Sequence, residues 1–144
     1  DITGTTLEGA TFRLADLRGH PVIVNFWGPF CIPCRSEFPL FKAKLIEHAA
    51  DGLVVVGVLM YDPPDSARAF VTEFGATWPT VVDPDGRIRA AYQVVARPQS
   101  YFVERRGLQP RTRLRGQPSR QRVLASRSLA TMVLGSTGPI DSSR

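Results

Sequence analysis

The hydrophobic pattern switches along the chain between continuous apolar runs and three-to-four-residue spacing. Pro21 opens Val22-Ile23-Val24-Asn25-Phe26-Trp27, a continuous run stopped by Gly28-Pro29. Such a run predicts a strand buried on both faces. Phe38, Phe41, Leu45 and Ala49 then recur at helical steps, with Lys42, Lys44 and Glu47 between them. Asp51-Gly52 ends this predicted helix, and Pro39 inside it should kink it. Leu53 to Met60 predicts a second buried strand, broken by Asp62-Pro63-Pro64. Asp65 to Phe74 predicts a helix with Gly75 as its stop. Thr80-Val81-Val82 predicts a short strand, Asp83-Pro84-Asp85-Gly86 a turn, and Arg87 to Tyr92 a short helix. Ser100 to Glu104 alternates into a further strand, turned by Arg105-Arg106-Gly107. Residues 1–19 predict a lead-in with a short hairpin at Thr11-Phe12-Arg13-Leu14 and a turn near Leu17-Arg18-Gly19. The succession is that of an α/β domain, a central sheet with helices on both sides.

A chain of 144 residues fits one domain. It has no apolar run long enough to span a bilayer and no basic-then-apolar leader at Asp1. That start accommodates a cytosolic protein or one whose signal or anchor has been removed. The net charge of +5 is unevenly spread. Residues 1–104 hold nine basic and twelve acidic side chains, net −3, whereas residues 105–144 hold nine arginines and one aspartate, net +8.

The only two cysteines, Cys31 and Cys34, lie three positions apart. Two cysteines cannot build a multi-bridge scaffold or, alone, a four-ligand zinc site. His20 and His48 fall outside any ligand spacing with them, so neither a metal nor another cofactor is expected, and no catalytic role is expected of either histidine. A Cys-x-x-Cys between a buried strand and a predicted helix is a redox device. At the helix N-terminus, Cys31 meets unpaired N–H groups and the positive end of the helix dipole, which favour an anionic sulfur. The thiolate is the attacking species in exchange, and Cys34, one turn on, can resolve the mixed disulfide. Pro33 fits the first turn, where its missing N–H costs little. The alternative is an inert disulfide or two reduced core thiols.

The segment Val24-Asn25-Phe26-Trp27-Gly28-Pro29-Phe30-Cys31-Ile32-Pro33-Cys34-Arg35-Ser36-Glu37-Phe38-Pro39 resembles the active site of thioredoxin-like proteins, closest to the TlpA/ResA/DsbE branch of extracytoplasmic thiol reductases linked to cytochrome c maturation. The similarity runs from about Thr5 to Gly107. Leu14-Ala15-Asp16-Leu17-Arg18-Gly19-His20-Pro21 matches the lead-in of that branch, and the helix at Asp65–Phe74 its extra segment. The resemblance implies a thioredoxin fold: a central mixed sheet flanked by helices, with an N-terminal hairpin and an inserted helix. It implies that Pro98 is a cis-proline facing the disulfide, which lets the backbone before it pair with a bound peptide. It also implies that Glu37 moves protons for the resolving thiol, where the plain reading is a solvent-facing carboxylate. Asn25 departs from the buried aspartate of thioredoxin, Phe30 from the usual tryptophan, and Ile32 leaves the intervening dipeptide without charge. Arg97 stands where a small or apolar residue is usual, its guanidinium either near the sulfurs, favouring the thiolate, or turned away in an exposed loop. Trp27, Phe30, Ile32, Pro33 and Arg97 are the candidate partner groove, although Trp27, like Phe38 and Phe41, also reads as core or rim. Trp78-Pro79 is expected in a loop near the active face, and Lys42 and Lys44 on a solvated one.

The expected organisation is a thioredoxin-like domain over residues 1–107 and a basic segment over 108–144. That segment reads as a divergent final strand near Arg111–Arg115 and helix near Arg120–Leu134, as a partly disordered basic tail, or as an anomalous end of the reading frame. Eight arginines between Arg105 and Arg127 have no acid among them, but no aromatic interleaving or binding module points to nucleic acid. The expected function is reduction of disulfides in extracytoplasmic partner proteins, with electrons supplied by an upstream dithiol protein. A membrane anchor would lie outside this chain. The rivals are a disulfide oxidase using the same residues with opposite electron flow, and a copper- or zinc-binding module that would need a third ligand. A peroxidase is disfavoured, since Gly28 stands where a peroxidatic Thr-x-x-Cys keeps its threonine.

Overall fold

The structure, a computed structural model, describes residues 1–104. The turn expected at Arg105-Gly107, the strand and helix expected beyond it and the boundary at residue 107 lie outside the described residues.

The chain opens with a hairpin, β1 (Thr3–Thr5) against β2 (Thr11–Arg13), followed by a 3-10 turn at Leu14–Leu17. Then come β3 (Val22–Trp27), α1 (Ile32–Glu47), β4 (Val54–Met60), α2 (Pro64–Phe74), β5 (Thr80–Asp83), α3 (Arg87–Ala91) and β6 (Gln99–Val103). The main sheet has the order β5-β4-β3-β6, with β3 parallel to β4, β4 parallel to β5, and β6 antiparallel to β3. The apolar run 22–27 is thus hydrogen-bonded along both edges and buried throughout.

Alternation along the strands supplies two cores. Val22, Val24 and Phe26 join Val56, Val58, Met60, Tyr101 and Val103 beneath α3 and the N-terminal segment. Ile23 and Trp27 join Val55 and Leu59 beneath α1 and α2. The second core is largely aromatic. Phe38 lies 4.8 Å from both Trp27 and Phe70 and 5.1 Å from Trp78, centroid to centroid. Gly57 makes room for it, since a Cβ there would fall 2.7 Å from Trp27 Nε1 and 2.6 Å from Thr80 Oγ1. Arg35 clasps the rim, its guanidinium 4.9 Å from the Phe74 ring while it pairs with Glu73.

Several expectations change. The hairpin has a strand, Thr3–Thr5, that no apolar alternation announces; it forms because Thr11–Arg13 pairs with it. Leu14 leaves that hairpin to begin the 3-10 turn. The helix holds Pro39 inside it as expected but stops at Glu47, so Ala49 lies exposed beyond it. Trp78 lies in the loop before β5, as expected, with its ring buried against Phe38 and Phe41 in the core that also holds the two cysteines. Lys42 donates to the Phe74 carbonyl at 3.0 Å and Lys44 pairs with Glu47.

Phe38 joins α1 to β3, α2 and the loop at Trp78, so Phe38→Ala should cost about 3–5 kcal/mol. Urea denaturation should show that loss as a lower midpoint at an unchanged slope.

Candidate active site

The site is built where β3 ends. Gly28 and Pro29 carry the chain off the sheet, and the Gly28 carbonyl accepts from Cys31 N–H at 3.1 Å. Cys31 is the N-cap of α1, its sulfur accepting from the Cys34 backbone N–H at 3.3 Å. The two cysteines form a disulfide. Their surroundings differ. Cys34 is 0 % exposed and Cys31 7 %, while the flanking Phe30 and Ile32 are 68 % and 80 % exposed. A partner approaching over Phe30 and Ile32 therefore meets Cys31, whereas Cys34 is reached only through it. Pro33 is exposed in the first turn of α1. Trp27 is 0 % exposed. Strand alternation turns it into the aromatic core, so it supports the site from below and lines no groove.

Asn25 projects from β3 toward α1, on the same face as Ile23 and Trp27. Its Nδ2 donates to Glu37 Oε2 at 3.2 Å and to Ser100 Oγ at 3.0 Å. The register pairs Asn25 with Ser100 of β6, and Glu37 lies one helical turn beyond Cys34. Burial raises the Glu37 carboxyl above its ordinary 4.5, and the Asn25 hydrogen bond offsets part of that rise. The buried Oδ1 of Asn25 has no hydrogen-bond partner among the described residues, so this amide is held mainly by what its nitrogen does.

The Arg97-Pro98 bond is cis. The pairing of β3 with β6 ends at Phe26 and Gln99, so Arg97 and Pro98 stand just before it, and the Arg97 guanidinium lies against Gly28. Arg97 is not turned away into an exposed loop. Its Nη1 donates to the Met60 carbonyl at 2.8 Å and pairs with Asp62, and both side chains are largely buried. Reaching them requires crossing the end of β3 from the β6 side to the β4 side. Gly28 allows the crossing: a Cβ there would stand 2.1 Å from both Arg97 Nη1 and Asp62 Oδ2. Asp62 N–H also donates to Met60 O at 2.8 Å, closing a three-residue turn over Tyr61, whose φ of 60° is positive. A side chain held in that region costs roughly 1–3 kcal/mol.

Asp62, Ser100 and Tyr61 were not singled out from the sequence. The available signal at Asp62 was its place just after a buried strand; its partner lies 35 residues away. His20 Nδ1 donates to the Gly52 carbonyl oxygen at 3.0 Å, and buried His48 lies against Asp51 at the far end of α1.

Comparison with known proteins agrees with this geometry. The AhpC/TSA family pattern matches residues 1–108. The chain is 33% identical over 107 residues to the thiol-disulfide oxidoreductase ResA of Geobacillus kaustophilus, covering 74% of this chain and 62% of that one. It is 36% identical over 111 residues to the thioredoxin-like protein YneN of Bacillus subtilis, covering 75% and 64%. The chain thus spans a little over three fifths of the length of these curated relatives. Among solved structures, a secreted Mycobacterium tuberculosis disulfide oxidoreductase homologous to E. coli DsbE superposes with a TM-score of 0.68 at 30% identity, covering 74% of this chain and 78% of that one. DsbF of the same organism gives 0.72 at 28%, covering 82% and 86%. The chain is a member of the AhpC/TSA family with a thioredoxin fold, similar to the ResA and DsbE oxidoreductases.

Proposed function

We propose that this chain is a thiol–disulfide oxidoreductase that reduces disulfides of partner proteins outside the cytoplasm. The observation that carries this reading is the asymmetry of the pair: Cys31 caps a helix N-terminus beside exposed Phe30 and Ile32, and Cys34 is buried behind it. The likeness to ResA supports the reducing direction, and the likeness to a secreted oxidoreductase supports the location.

In the reduced chain, N–H groups at the start of α1, that of Cys34 among them, favour an anionic Cys31 sulfur. This sulfur attacks one sulfur of the partner disulfide, and the other leaves as a thiolate that takes up a proton. Cys34 loses its proton and attacks the Cys31 sulfur, releasing the second partner thiol. Two electrons pass to the partner and the Cys31–Cys34 disulfide forms. Glu37, one turn from Cys34 and half-buried, is placed to take the Cys34 proton. Pro98, beside the end of β3, shapes the groove in which the partner backbone docks. An upstream dithiol protein then restores the thiols.

The same groups run in reverse in an oxidase, and charge bears on the direction. An uncompensated guanidinium by the pair would stabilise the thiolate and make the disulfide a stronger oxidant. Pairing of Arg97 with Asp62 removes much of that pull, which favours a reducing potential. A metal-holding module has less support: among the described residues no three His, Cys, Asp or Glu side chains are grouped to hold a metal.

Equilibration with a glutathione buffer should place the pair near or below about −230 mV; a value above about −180 mV would make the chain a disulfide donor. Cys34→Ser should trap partners on Cys31 as stable mixed disulfides that reducing agent releases. If no partner is trapped and metal affinity falls instead, the dithiol reading fails. Glu37 gives a pH test. Its folded-state carboxyl titrates above the unfolded 4.5, so the folded state binds the extra proton and stability declines as pH rises through that window. Glu37→Gln should lack this decline, so its stability relative to the parent should improve from pH 4 to pH 7 in urea denaturation.

A further inference from the structure

Asn25 is buried in the middle of β3, and only one of its two polar atoms is used in the oxidised chain. Nδ2 supplies both Glu37 Oε2 and Ser100 Oγ. Oδ1 is buried without a hydrogen-bond partner among the described residues. Chemistry fixes which end is which: an ionised carboxylate only accepts, so the nitrogen belongs on Glu37. A buried acceptor left without a donor bears its full desolvation cost.

No side chain of the sheet is hydrogen-bonded to Oδ1, and the row it stands in explains why. Ser100 of β6, Asn25 of β3, Gly57 of β4 and Thr80 of β5 line up across the sheet. Ser100 is engaged through Nδ2, Gly57 brings no side chain, and Thr80 is two strands away. Of the neighbours on the same face of β3, Ile23 is apolar and Trp27 sets its indole nitrogen over Gly57. What remains is the helix laid over this row. There α1 carries Glu37, already bonded to the amide, and one turn before it Cys34. Cys34 is 0 % exposed and packs in the same core as Ile23 and Trp27. As half of a disulfide it has no hydrogen to give. Reduction creates a thiol donor at this buried place.

We propose that in the reduced chain the Cys34 thiol donates to Asn25 Oδ1, so that one amide holds the resolving thiol at its oxygen and Glu37 at its nitrogen. Every polar atom of the amide is then used, and only in the reduced state. A hydrogen bond made by the neutral thiol keeps the proton on Cys34, which leaves Cys31 as the anionic sulfur that attacks the partner. Once the mixed disulfide has formed, Cys34 passes its proton to the carboxylate at the other end of the amide. Its sulfur then attacks Cys31 Sγ, and the second partner sulfur leaves as a thiolate. Asn25 is thus a positioning residue: it aligns the proton donor with the acceptor. The proposal rests on the dithiol reading above and deepens it.

The test isolates the resolving thiol. In the full chain carrying Cys31→Ser, Cys34 is the only thiol, and infrared spectroscopy reads its S–H stretch. The band should lie below that of ethanethiol in an apolar solvent, as a donating thiol requires. Adding Asn25→Leu should raise it to the free-thiol position, and adding Asn25→Asp, which keeps an oxygen there, should hold it down. A free-thiol band with Cys31→Ser alone would overturn the proposal with Asn25 untouched. So would a low band that Asn25→Leu leaves in place, since the thiol would then have another acceptor.

Kinetics give the second readout. The reduced chain mixed with dithiobis-nitrobenzoate should release one thionitrobenzoate as Cys31 attacks and a second as Cys34 closes the ring, the latter at a rate independent of reagent concentration. Asn25→Leu should slow the second release about tenfold and leave the first within about twofold, a fraction of what a placed base supplies. An unchanged second release, or equal slowing of both, would overturn the proposal. A parent that releases no second thionitrobenzoate by ring closure would instead overturn the dithiol reading. A parent that closes the ring but shows a free-thiol band leaves that reading standing and removes this inference alone.

Discussion

The placement of β3 between β4 and β6 constrains everything else in the domain. A strand hydrogen-bonded on both edges and buried on both faces has no freedom of register, and its exit must rise from the sheet within Gly28, Pro29 and Phe30 to start α1 at Ile32. Cys31 occupies the cap position because the strand ends where it does. Asn25 lies under α1 because it is two residues before Trp27 on the same face. The segments that follow β4 and precede β6 meet across Gly28, just beyond the end of this strand. A one-residue slip of β3 would turn Asn25 and Trp27 to the opposite face and dismantle the site.

Two carboxylates near this strand end are treated differently. Glu37 receives a hydrogen bond from a neutral amide, which offsets only part of the cost of burial, so the group remains able to exchange a proton. Asp62 receives a guanidinium, so its charge and that of Arg97 are spent on each other and on geometry. In the proposed mechanism one supplies chemistry and the other shape, and the difference lies in the partner.

Much of this was legible in the chain. The buried strands announced themselves as contiguous apolar runs, and the cysteine pair between strand and helix carried its chemistry in its spacing. Gly75 ended α2 with the left-handed conformation its residue type suits. What escaped was whatever depends on two distant segments meeting. The strand Thr3–Thr5 exists through its partner, with no alternation of its own. The Asn25–Ser100 contact spans 75 residues and Arg97–Asp62 spans 35; both become visible only when the strand register is known. Trp27 was placed correctly in its strand, but whether its ring faced groove or core depended on which face α1 covers.

The bare Cα of Gly28 has a consequence for how this scaffold can diverge. The space a side chain would need there is filled by Arg97 and Asp62, so even alanine at position 28 displaces an ion pair contributed by two other segments. A side chain at position 28 therefore requires Arg97 and Asp62 to move together. The absent side chain at this one position is what lets three segments distant in sequence share a single point of contact.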